Sequence, residues 1–130
     1  MNCKGILVVE DDVDIRKQLV RALKDEGYTT VHVAGNGVEA FKILENLSDD
    51  EIPGCIILDL MMPEMDGIVF MDTIEKLHKD RYGKIKIIVA TAKGSPINPE
   101  KIPNAVERIQ KPFDLDELYS VVELHCGKPC

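Results

Sequence analysis

Three successive carboxylates, Glu10-Asp11-Asp12, directly follow the apolar run Ile6-Leu7-Val8-Val9. Asp59 closes a second apolar run, Cys55-Ile56-Ile57-Leu58. Thr91-Ala92 closes a third, and Lys111-Pro112 follows Arg108-Ile109-Gln110. If these segments are neighbouring strands, their ends bring three or four carboxylates, one hydroxyl and one ammonium to one edge. Carboxylates so close together repel unless a cation neutralises them. Hard oxygen ligands suit Mg2+, which keeps several waters and takes few protein carboxylates. A magnesium site with a hydroxyl and a lysine beside it is built to receive a phosphoryl group. Asp59, at the middle of that edge, is the natural nucleophile for an aspartyl phosphate.

Each piece also has a plain structural reading. Acids after a strand often cap the next helix, as Asp12 or Asp14 can do here. A single Asp at a strand end is commonly a turn residue. Thr before Ala fits a strand, and Lys before Pro is commonly solvated. What favours chemistry is that all four groups fall at strand ends in order.

The elements that must position them alternate between β and α. Gly5 to Val9 is nearly all apolar, as in a strand buried on both faces. A helix to about Glu26 follows, with Ile15, Leu19, Ala22 and Leu23 on one face and Gly27 as its stop. Thr29 to Ala34 has strand propensity. Asn36-Gly37 turns the chain into a helix over Val38 to Leu47, with Ala40, Phe41, Ile43, Leu44 and Leu47 at helical spacing. Ser48 to Gly54 is an acidic loop before the strand at Cys55 to Leu58. Leu60 to Gly67 is a loop, Ile68 to Lys79 a helix with Phe70, Met71, Ile74 and Leu77 inward, and Ile85 to Thr91 a fourth strand. Lys93 to Asn104 holds Pro96, Pro99 and Pro103, which argue against one continuous helix. Arg108 to Gln110 reads as a short fifth strand. Asp114 caps a last helix with Leu115, Leu118, Val121, Val122 and Leu124 as its apolar set, and residues 126–130 read as a frayed tail. The pattern predicts an α/β fold: a doubly wound parallel sheet with helices on both faces and ligands at the carboxyl ends of its strands.

The chain has 130 residues, enough for one compact domain, with a formal charge of −7. The acidic balance argues against direct binding of nucleic acid, which needs a basic patch. No apolar run approaches the roughly 20 residues of a transmembrane helix, and the apolar start is too short for a signal peptide, so a cytoplasmic protein is expected. Cys3, Cys55, Cys126 and Cys130 fit no zinc spacing. Cys55 reads as a core residue and the others as reduced bystanders, because a bridge near the tail would have little fold to hold.

The segments Ile6-Leu7-Val8-Val9-Glu10-Asp11-Asp12, Ile57-Leu58-Asp59-Leu60-Met61-Met62-Pro63-Glu64-Met65-Asp66-Gly67, Thr91-Ala92 and Lys111-Pro112-Phe113 resemble the response-regulator receiver domain of bacterial two-component signalling. The likeness covers nearly the whole chain. It implies a single receiver domain over residues 1–130, flavodoxin-like, with strand order 2-1-3-4-5 and five helices. It makes Asp59 the phosphoacceptor, loaded from a phosphohistidine of a sensor histidine kinase or a histidine phosphotransfer protein. Glu10, Asp11, Asp59 and the backbone carbonyl of Met61 would serve Mg2+, with Glu10 acting through water. Thr91 and Lys111 would contact the phosphoryl group, and the Lys111-Pro112 peptide would be cis. Pro63 and Gly67 would shape the loop after Asp59, and the small Ala92 would leave room for a donor. Met61 and Lys93 stand where relatives tune the lifetime of the phosphorylated state. Met61 cannot orient a water, so slow self-dephosphorylation is expected.

Two departures matter. Receivers usually carry Tyr or Phe where this chain has Arg108, which cannot be buried unpaired without a large penalty, so the usual aromatic switch is not expected. The fourth-helix region is proline-rich, and output through a remodelled loop or the first helix is expected instead. No output domain follows the last helix, as in a stand-alone receiver or a piece of a longer protein. The leading reading is a phosphoacceptor module that catalyses only its own phosphorylation and dephosphorylation, switches binding to a downstream protein, and is a monomer or a weak phosphorylation-dependent dimer. A haloacid-dehalogenase-type phosphatase would need an acid where Met61 stands. A flavodoxin-like cofactor binder would need Ser, Thr and Gly where Glu10-Asp11-Asp12 stand. A phosphorylation-independent scaffold or adaptor is the remaining alternative.

Overall fold

A computed structural model describes residues 3–59, 82, 84–92, 105–111 and 114–129. The strands are β1 (Ile6–Val9), β2 (Val31–Ala34), β3 (Cys55–Asp59), β4 (Lys86–Ala92) and β5 (Ala105–Lys111). The helices are α1 (Val13–Glu26), α2 (Gly37–Asn46) and α3 (Leu115–His125), with a short 3-10 turn at Asp49–Glu51. The expected third helix (68–79), the loop at 60–67 and the proline-rich stretch at 93–104 lie outside the described residues.

The strands form one parallel sheet in the order β2-β1-β3-β4-β5. Its two faces carry separate cores, because successive strand residues point to opposite sides. Leu7, Val9, Ile56, Leu58, Ile87 and Val89 pack with Ala40 and Leu44 of α2. Ile6, Val8, Ile57, Ile88 and Ile109 pack with Leu19, Ala22 and Leu23 of α1 and with Leu118, Val121 and Val122 of α3. The sheet is therefore wound on both sides, which explains why β1 and β3 are apolar at almost every position.

Local chemistry sets the helix ends. Asp12 caps α1, its carboxylate accepting from the N–H groups of Asp14 (2.9 Å) and Ile15 (3.1 Å). Gly27 ends α1 at φ +113°, a left-handed conformation that costs other residues free energy. Asn36 caps α2 and Asp114 caps α3 in the same manner.

Several expectations need correction. β5 has seven residues, not three. It is an edge strand held by backbone pairing to β4, and its charged Glu107 and Arg108 hide it from a search for apolar runs. It also carries one extra residue between Ala105 and Glu107, which oppose the adjacent Ile87 and Ile88. In α3, Leu124 is 73% exposed and Leu115 is 49% exposed. At 100° per residue Leu124 lies roughly 160° from the buried Val122, on the outer face.

The tail is docked, not frayed, through Pro129. The Cys3 N–H donates to the Lys128 carbonyl (2.9 Å), and the Tyr28 hydroxyl donates to the Gly127 carbonyl (2.9 Å). Cys3 and Cys126 are not reduced bystanders; they form a disulfide with Cα atoms 5.0 Å apart. The bridge does have fold to hold, because the start of β1 and the end of α3 meet at the amino-terminal edge of the sheet. Cys55 is a free, buried core thiol, as expected.

Candidate phosphoryl and metal site

The opposite edge of the sheet gathers the acids. Glu10 is the residue after β1, and its N–H extends the β1–β2 ladder by donating to the Ala34 carbonyl (3.0 Å). Its own carbonyl accepts from Arg16 Nη1 at 3.1 Å, which pins the turn between β1 and α1. Asp59 is the last residue of β3, opposite Ala90 of β4. Val9 pairs with Leu58, so Glu10 and Asp59 stand one step further along neighbouring strands.

One carboxylate oxygen from each of Glu10, Asp11 and Asp59 lies within 4.8 Å of the others. Glu10 is 2% exposed and Asp59 6%, while Asp11 is exposed. Two carboxylates this deep, beside a third, need positive charge nearby to remain ionised. Octahedral Mg2+ binds oxygen at about 2.0–2.1 Å, so ligands across it stand roughly 4 Å apart. The oxygen separations fit a small hard cation held partly through water, and exposed Asp11 gives it a path from solvent. Asp12 takes no part in this group: its carboxylate is engaged in capping α1. Of the two capping candidates in the sequence, Asp12 and Asp14, it is Asp12 that takes the role.

Thr91 and Ala92 are the last two residues of β4, and Lys111 is the last of β5. Thr91 pairs with Gln110, and Ala92 with Lys111. Their backbones therefore reach the same carboxyl edge as Asp59; their side chains lie outside the described residues. So do Met61, Lys93 and Pro112, and with them the expected carbonyl ligand, the lifetime positions and the cis peptide. Arg108 stands opposite Val89 and is exposed, while its neighbour Ile109 takes the buried place. An exposed guanidinium avoids the desolvation penalty that burial would carry.

Arg16 was not identified from the sequence. Its contact with the Glu10 carbonyl spans six positions, across a strand end and a helix start, and no helical or strand period reports such a pair.

The chain matches the response regulator receiver domain over residues 6–123, and it belongs to that family. It is 34% identical over 122 residues to the response regulator receiver protein CpdR of Brucella abortus, covering 92% of this chain and 94% of that one. It is 33% identical over 120 residues to sporulation initiation phosphotransferase F of Bacillus subtilis, covering 91% and 90%. Other relatives are longer: the chain spans 12% of the sensor kinase CckA of Brucella abortus and 56% of the transcriptional regulatory protein PdtaR of Mycobacterium tuberculosis. Among solved structures, a CheY-like receiver domain protein from Methanospirillum hungatei superposes with a TM-score of 0.79 at 29% identity, covering 95% of each chain. The expected fold class and family are thereby established. No helix among the described residues is long and apolar enough to cross a membrane.

Proposed function

We propose that this receiver accepts a phosphoryl group on Asp59 from a phosphohistidine of a sensor kinase or histidine phosphotransfer protein, and that the modified surface changes its affinity for a downstream protein. The observation that carries this reading is the convergence of Glu10, Asp11 and Asp59 at one strand edge. A carboxylate oxygen of Asp59 would attack phosphorus as the N–P bond to imidazole breaks, and the released imidazole would take up a proton. Mg2+, held by Glu10, Asp11, Asp59 and the Met61 carbonyl, would neutralise charge on the phosphoryl oxygens. Thr91 would donate a hydrogen bond to that group and Lys111 would pair with it. Phosphorylation adds about −1.5 to −2 charges, enough to bias a two-state surface. Met61 and Lys93 would set the lifetime of the product, and Arg108, exposed on β5, would stand outside any buried switch. The module works in the cytoplasm as a monomer or weak dimer, contacts no nucleic acid or membrane itself, and turns over no substrate beyond its own phosphoryl group.

The test is incubation with Mg2+ and acetyl phosphate, followed by intact mass. One phosphoryl group should be gained, only with Mg2+, and none by Asp59→Asn; slow decay of the product would support the lifetime assignment. A wild-type chain that gains nothing and also ignores beryllofluoride would favour the scaffold reading instead.

A further inference from the structure

At the sheet edge opposite the acids, Cys3 and Cys126 are bonded across 123 positions of sequence. Each residue is 5% exposed. The Cys126 sulfur packs against Gly54, where an added Cβ would come within 2.9 Å of it. The segment that follows is held by hydrogen bonds from the Cys3 N–H to Lys128 and from the Tyr28 hydroxyl to Gly127. The Gly127 N–H also donates to the Val122 and Glu123 carbonyls. Although docked, a short segment at the chain end opens at lower free energy than the core strands.

We propose that Cys3–Cys126 is a reversible redox site that exchanges with low-molecular-weight thiols and disulfides, and that its oxidation fastens the C-terminal segment to β1. In the oxidising direction, one cysteine thiolate attacks a sulfur of the small disulfide and releases one thiolate. The second cysteine thiolate then attacks the mixed disulfide and releases the other. The two cysteine sulfurs lose two electrons in total, the small disulfide is reduced to two thiols, and the cysteine protons pass to those leaving groups. Lifting of residues 127–129 admits the reagent. Cys55 shares the cluster but is 0% exposed, and burial pushes its thiol up to about 12, so it stays protonated and outside the exchange.

The consequence follows from loop length. A bond that closes almost the whole chain restricts the unfolded state strongly, so oxidation should raise the melting temperature by on the order of 10 °C.

The test holds the full, folded chain in glutathione buffers of graded redox poise. Samples are acid-quenched, alkylated, weighed intact and peptide-mapped, with melting curves recorded in parallel. Two thiols should be protected together, the map should join Cys3 to Cys126, and the melting temperature should rise with that fraction. Cys130→Ser should behave like wild type, and Cys3→Ser should lose both the bond and the rise. Should Cys3→Ser fail to fold, the wild-type map and its redox titration decide the matter alone. A Cys126–Cys130 bond, no bond at all, a bond that excess dithiothreitol cannot reduce in the folded chain, or a melting temperature indifferent to its formation would each overturn the proposal.

Discussion

At the scale of single residues, the acids divide their work by position. Asp12 spends its oxygens on the first turn of α1, while Glu10, Asp11 and Asp59 point theirs at one another. Like charges at this spacing repel one another, and a bound cation relieves that repulsion. Replacing Asp11 by Asn, which removes charge without changing shape, should therefore raise the melting temperature in chelator by roughly 2–5 °C. It should also abolish most of the stabilisation that Mg2+ gives the wild type, since a bound ligand stabilises only what it binds. Melting curves with and without Mg2+ read both effects. A variant no more stable than wild type in chelator would show that the cluster carries no electrostatic strain.

At the scale of elements, the last helix shows how composition misleads where geometry does not. Leu118 and Leu124 are the same residue type six positions apart, yet one is 0% exposed and the other 73%. Leu118→Ala should cost about 2–5 kcal/mol through lost burial and a residual cavity. Leu124→Lys should stay within about 0.5 kcal/mol of wild type. Urea unfolding of the two variants measures the contrast, and similar losses would mean that α3 is rotated from the face described here. His125 Nε2 and Glu107 Oε2 stand 3.2 Å apart, a polar contact that links the last helix to the edge strand.

At the scale of the whole molecule, the two ends of the chain close on each other, and Tyr28 belongs to that closure. Burial, with Glu123, Cys55 and Glu26 adding to it, pushes the Tyr28 hydroxyl from its ordinary 10.0 up to about 12. Burial alone pushes the Cys55 thiol from 9.0 up to about 12. In both cases the fold holds the neutral form more firmly than the unfolded chain does. Their stabilisation is thus whole below the unfolded values and is lost as pH rises toward 12. Tyr28→Phe should cost about 1 kcal/mol at neutral pH through the missing bond to Gly127. It should also flatten the decline in stability between pH 10 and 12, measured by urea midpoints across that range. An unchanged decline would place the alkaline sensitivity elsewhere.

Much was legible in the order of residues. Periodicity located β1, α1, α2, β3 and α3, since buried strands and amphipathic helices write their environment into side-chain type. The motif around Asp59 and the acids after β1 marked the family, because that chemistry needs particular residue types at strand ends. Three things needed the folded chain. The length of β5 depends on backbone pairing to β4, which side chains do not encode. The choice of Asp12 rather than Asp14 as the cap depends on where α1 begins. The meeting of Cys3 with Cys126 depends on the parallel sheet placing the start of β1 beside the end of the last helix. Sequence fixes what each residue can do within a few positions of itself; only the packing of distant segments decides which residues do it together.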